Sequence, residues 1–138
     1  MTQEEKELLL QDLCGRLTYG IKVHHYQGSN CILKSIDLRT HAAYVEVYDF
    51  IALKEFIEDG QRSIFEYKPY LRPMSSMTEE ERSEYFLIKH RDNDRDDNIL
   101  LIDEASTLID WLNANHFDYR GLIPMGLALE APEGMYKQ

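Results

Sequence analysis

Positive charge is scarce in this chain. Its 138 residues hold 15 Lys and Arg against 25 Asp and Glu, a formal net charge of −10, with no run of basic residues. A phosphate backbone is on average repelled by such a surface, which argues against nucleic acid as a partner. Cysteine is scarcer still: only Cys14 and Cys31, with no CxxC spacing. Two unpatterned cysteines read as thiols in a reducing cytoplasm, while a single Cys14–Cys31 bridge stays open at this level. Long hydrophobic runs are missing. The opening "MTQEEKELLLQ" is acidic and does not read as a secretory signal, and "ILLI" at 99–102 is far too short to span a bilayer. The expectation is a cytoplasmic protein without a membrane partner. No GxGxxG, GxxxxGKS/T, GxSxG or HExxH motif occurs. His24 and His25 point to opposite faces of a strand, His41 lies in an expected turn, and the histidines show no ligand spacing. Neither a metal nor a cofactor is expected.

What is present fits one domain spanning 1–138, long enough to bury a core without disulfides or metals. A hydrophobic share of 43% and a charged share of 29% are those of an ordinary soluble protein. Thr2 and Glu5 have capping-box spacing, and Leu9, Leu13 and Leu17 with Leu10 and Cys14 form a helical stripe that Gly15 would stop. From Leu17 to Tyr67 the chain turns β-rich. "YGIKVHHY", "CILKSIDL" and "AAYVEVYDF" are separated by "QGSN" and "RTH", which suit turns. "RSIFEY" reads as a fourth strand, and "FIALKEFIEDG" fits a short helix or an extended edge. Pro69 and Pro73 bracket "YLR" and should break regular structure. Thr78 and Glu81 cap a second helix running to about Lys89. A third is expected over about 104–114, with a stripe of Leu101, Ala105, Leu108 and Leu112, widened by Ile109 and Trp111. Trp111 should fasten it to the sheet. The expected fold is α+β: an N-terminal helix, an antiparallel sheet of three to five strands (barrel-like if it rolls up), two further helices and an ordered irregular tail. That tail has one short strand near Leu127–Leu129, and its Leu122, Ile123, Met125, Leu127 and Leu129 all need cover.

Two stretches resemble chemistry. "HRDNDRDDNILLIDE" sets Asp92, Asp94 and Asp96 at positions 1, 3 and 5 of a calcium loop, with Ile99 at 8 and Asp103 at 12. Asp97 occupies the position of the required glycine and Leu100 that of a ligand, so a solvated acidic connector is the favoured reading. "NHFDYRG" alternates His116, Asp118 and Arg120 with Phe117 and Tyr119. In an extended segment the first three share a face, where an imidazole, a carboxylate and a guanidinium could orient one another. The plainer reading is a strand with its aromatics inward and its polar groups in solvent. Arg120 and Asp118 would be fixed on the surface or paired with "YLRP", where Tyr70 and Arg72 are the expected neighbours. Tyr70, Arg72, His116, Asp118, Tyr119 and Arg120 therefore make up the candidate functional surface.

Three segments, "LCGRLTYGIKV" (13–23), "PYLRPMSSMTEEE" (69–81) and "NHFDYRGLIPMGLALEAPEGMY" (115–136), resemble a family of short uncharacterised proteins encoded by gut bacteria and by their phages and mobile elements. The family has no assigned activity, so the resemblance implies a cytoplasmic setting and no particular catalytic residue. With nine tyrosines and no assembled active site, the expected role is non-catalytic binding of an unknown protein partner. The alternatives are an enzyme or small-ligand binder using His116, Asp118 and Arg120, and an acidic mimic of nucleic acid.

Overall fold

The computed structural model describes residues 1–24, 30–49, 54–90 and 98–136. In chain order the elements are α1 (Gln3–Arg16), β1 (Lys22–His24), β2 (Asn30–Ile36), β3 (Ala42–Asp49), β4 (Lys54–Ser63), β5 (Lys68–Leu71), α2 (Glu79–Lys89), α3 (Asn98–Ala114) and β6 (Leu129–Glu130). The class is α+β, but the sheet has six strands rather than three to five, and it is mixed rather than antiparallel. Its order is β4-β3-β2-β1-β5-β6. Neighbours from β4 to β5 run antiparallel, whereas β6 joins β5 in parallel with Tyr70 opposite Leu129. Register shifts between Leu33 and Ser35 and between Ala43 and Val45 bend β2 and β3, which suits the sheet's curl.

The additional strands arise where local signals are weakest. The end of "FIALKEFIEDG" is extended as β4, at the sheet's edge. "RSIFEY" gives only Arg62 and Ser63 to that strand. The Ser63 hydroxyl accepts from Phe65 N and the Glu66 carboxylate from Ser63 N, and this capping box turns Ile64–Glu66 into a 3-10 helix. Pro69 does not break the chain: it lies in β5 opposite Val23. The β5–β6 ladder begins only at Tyr70, so it loses nothing to the missing proline N–H.

α1 starts as its capping box requires, with Thr2 Oγ1 3.1 Å from Glu5 N and Glu5 Oε1 2.8 Å from Thr2 N. Gly15 does not end it. The helix runs on to Arg16, a 3-10 turn follows over Leu17–Tyr19, and Gly20 makes the left-handed exit at φ 69°. A Cβ on Gly15 would lie 3.3 Å from Asn113 Nδ2, so the glycine lets α3 come close. The buried face of α1 is Leu9, Asp12, Leu13 and Arg16, not the Cys14 side of the expected stripe. Cys14 is exposed, and Cys14 and Cys31 are thiols rather than bridge partners. Leu9 and Leu13 join Ile21, Val23, Leu33 and Val45 in the main core. On β3, Ala43 and Val45 face in while Tyr44 and Glu46 are half-buried. Each fully buried aliphatic side chain of this set contributes about 1.5–3 kcal/mol. From the tail, Leu122, Leu127 and Ala128 complete the core, whereas Met125 stays 44% exposed.

A second, smaller cluster is separate from the main core. Met77, Leu112 and Phe117 are buried there, with Tyr85, Leu108 and Trp111 packed against them. Trp111 stacks on Phe117 with centroids 5.7 Å apart, lies 6.1 Å from Tyr85, and donates from Nε1 to Glu84 Oε2 at 3.0 Å. It thus ties α3 to α2 and the tail rather than to the sheet. Ile109, expected in the stripe, is 42% exposed. α3 begins at Asn98, earlier than the expected start near 104. The side chains of Leu101 and Ala105 fall outside the described residues, as does the acidic connector at 91–97, and the calcium expectation with it. Among the described residues no helix is long and apolar enough to cross a membrane.

Candidate functional site

α3 ends in a turn that decides where residues 116–120 go. His116 N donates to Asn113 O at 3.1 Å and Phe117 N to Leu112 O at 3.0 Å. This pair of bonds is a Schellman motif, whose left-handed position normally holds glycine. Here it holds His116, at φ 63°. Phe117 then packs with Leu112, as such a turn favours. Leaving the turn, the chain aligns with the end of β5. Arg72 N donates to His116 O at 2.7 Å, and Asp118 N donates to Arg72 O at 2.8 Å. The 69–81 and 115–136 segments do meet, across an isolated parallel bridge between Arg72 and Phe117.

The left-handed residue spoils the simple alternation. His116, Phe117 and Asp118 are all buried, at 8%, 0% and 8% exposure. His116 lies under Tyr136, with ring centroids 3.7 Å apart and planes 19° from parallel. Asp118 is a turn cap: Oδ1 accepts from Leu122 N at 2.8 Å and Oδ2 from Ile123 N at 2.9 Å. Arg120 reaches α1 instead of "YLRP", with Nε 3.1 Å from Asp12 Oδ1. Tyr119 lies between guanidinium groups, 5.2 Å from Arg16 and 5.0 Å from Arg120, and its hydroxyl donates to Asn113 Oδ1 at 2.9 Å.

Arg72 is also held. Nη1 and Nη2 bind the two Glu81 oxygens at 2.7 and 2.6 Å, and the guanidinium sits 4.2 Å over the Phe117 ring. The Arg72 hydrogen bonds hold the Glu81 carboxyl below its ordinary range, even against the opposing effect of burial. Glu81 also closes the capping box of α2 with Thr78, so one carboxylate ties the helix start to the end of β5. Tyr70 hydrogen-bonds His24 Nδ1 through its hydroxyl at 3.0 Å, and its carbonyl accepts from the Tyr136 hydroxyl at 2.7 Å.

The residues that sequence reasoning passed over are Asp12 and Arg16, both 0% exposed. Arg16 Nε and Nη2 bind Asp12 Oδ2 and Oδ1 at 2.8 and 3.1 Å, and Nη2 also donates to Phe117 O at 2.6 Å. Asp12 thereby holds two arginines, one from its own helix and one from the tail. The signal was present: positions 12 and 16 share the helical face of Leu9 and Leu13. Arg16 Nη1 and His116 Nδ1 are buried without a hydrogen-bond partner among the described residues. Burial, followed by the charges of Arg16, Arg72 and Lys22, presses the His116 imidazole down to about 4. Burial also raises the Tyr136 hydroxyl above its ordinary range.

Among the described residues no group of three or more His, Cys, Asp or Glu side chains is placed to hold a metal ion. The fold and site together define a small α+β domain with a curled mixed sheet and a buried ionic cluster joining its first helix to its tail. Compared with protein-family models, curated proteins and solved structures, the chain matches none of them.

Proposed function

We propose that this protein works by non-catalytic binding of another protein, through the face of α2 that carries Phe86 and Leu87. The observation that carries the reading is their exposure, 60% for Phe86 and 68% for Leu87. Two large apolar side chains in succession, with Ile88 and His90 beside them around a shallow depression, are costly to leave in water unless something covers them. The polar residues that looked chemical support the same reading from the other direction. Asp118 binds backbone N–H groups, Arg120 binds Asp12, and Arg72 binds Glu81. The resemblance of three segments to proteins of gut bacteria and their mobile elements adds a phage or mobile-element setting to the proposal, in the cytoplasm.

The test is affinity capture from the native host, with and without phage infection, comparing the natural chain with a Phe86→Asp, Leu87→Asp variant. Both side chains are exposed, so the variant should keep the circular dichroism and melting profile of the parent. Loss of a specific captured protein supports the reading. Undiminished capture by the variant overturns the assignment to α2, and capture of nothing by the natural chain overturns the binding role.

A further inference from the structure

Beyond β6 the tail brings Tyr136 to β1 and β5, where its ring covers a histidine. β6 pairs with β5, Ala131 N donates to Leu71 O at 2.8 Å, and the Tyr136 hydroxyl donates to Tyr70 O at 2.7 Å. The same hydroxyl accepts from Lys22 N at 3.0 Å, and Lys22 Nζ donates to Met135 O at 3.0 Å. The Tyr136 ring lies flat on His116, which is only 8% exposed, is held at φ 63°, and has no partner for Nδ1 among the described residues. The surroundings of His116 are mostly cationic or neutral. α1 brings Arg16, paired with Asp12; β1 brings Lys22; the end of β5 brings Arg72, paired with Glu81 of α2, and the Tyr70 carbonyl bound to Tyr136. α3 offers Asn113, whose carbonyl takes the His116 N–H. The carboxylate two residues along, Asp118, accepts from backbone N–H groups. A proton on His116 would put a further positive charge under a ring, beside three others and away from water.

We propose that residues 129–136 form an acid-released strap, in which protonation of His116 loosens Tyr136 and lifts the tail from β1 and β5. In the closed form the imidazole stays neutral down to about pH 4. Once uncovered, it takes a proton below its ordinary value of about 6.5. The open form therefore binds more protons throughout this window, and opening becomes easier as pH falls from 6.5 towards 4. The tyrosine face itself favours a cation and offsets part of the effect. Opening should rise about 10- to 30-fold between pH 7.5 and pH 5. The strap would then release Lys22 and expose the imidazolium, giving a strongly acidic chain one local cationic spot.

Amide hydrogen exchange, corrected for the intrinsic pH dependence of the exchange rate, reads this directly. The Ala131, Met135 and Lys22 amides should lose about 10- to 30-fold in protection between pH 7.5 and 5, while amides of β2 and β3 keep theirs. Two variants remove the proton acceptor: His116→Phe keeps a ring under Tyr136, and His116→Asn suits the left-handed backbone. In both, the pH dependence at these amides should vanish. Protection that does not change with pH overturns the strap, as does an unchanged pH dependence in either variant that folds. A loss shared equally by β2 and β3 also overturns it, since that is global unfolding. Should neither variant fold, the imidazole resonances of the natural chain decide: His116 titrating above pH 6 overturns the proposal, and His116 still neutral at pH 5 supports it.

Discussion

α1 gives Leu9, Asp12, Leu13 and Arg16 to the interior, whereas α2, only three residues shorter, buries none of its own. Both begin with a capping box made by a threonine and a glutamate, so the difference does not lie in local helix signals. It lies in what each helix meets. α1 lies on the sheet and is joined to residues 117–120 by a buried ionic cluster, while α2 is held by the Tyr85 and Glu84 contacts with Trp111 and by the Arg72–Glu81 pair. A helix that buries none of its own side chains can open or move at less cost than one built into the core, and such low-stability elements are where binding faces are usually found. The contrast separates the side that keeps the fold from the side on which the proposed partner would dock.

Mutations can break or sharpen this contrast. The largest effect should come from Asp12→Ala, which leaves Arg16 buried without its carboxylate and Arg120 without its partner. A loss of about 3–5 kcal/mol is expected in urea unfolding. A double change, Asp12→Leu with Arg16→Met, should recover much of it, because removing both charges also removes the cost of burying them. Asp118→Ala comes next, at about 2–3 kcal/mol, since the buried Leu122 N–H loses a charged acceptor. Trp111→Ala should cost about 1–2 kcal/mol, below the range for a fully buried aromatic because the ring is only partly covered. The Phe86→Asp, Leu87→Asp pair should stay within about 0.5 kcal/mol of the parent. An inverted order, with the α2 changes costing more than Asp12→Ala, would show that the two sides have been assigned the wrong way round.

What the sequence disclosed follows the range over which each signal acts. The caps at Thr2 and Thr78 depend on four consecutive residues and were legible. β4 and Pro69 were harder, because extended structure there depends on neighbouring strands that no window of ten residues contains. Asp12 and Arg16 were overlooked because charges are taken to face water, although their spacing matched the apolar face. His116 misled for a different reason. The left-handed position of a helix-ending turn is usually announced by glycine, as at Gly126, where Gly126 N to Ile123 O and Leu127 N to Leu122 O repeat the pattern. With histidine in that place the turn is invisible, and the alternation read from "HFDYR" assumed an extended backbone that the turn does not provide.

The tie between Asp12 and Arg120 spans 108 positions of chain, and that between Arg16 and the Phe117 carbonyl spans 101. These contacts join α1 to a stretch that leaves the ribosome about a hundred residues later, so during synthesis α1 must wait. Until residue 117 emerges, the Arg16 guanidinium lacks the acceptor that accompanies its burial, and the α1 face cannot close fully on the sheet. Contacts this far apart also raise the contact order, which slows folding relative to a bundle of the same size. The nascent chain therefore spends its synthesis with apolar strands uncovered, the interval in which association with other chains is most easily started. A chain stalled short of residue 117 should remain sensitive to protease along α1, and one extended past residue 120 should not.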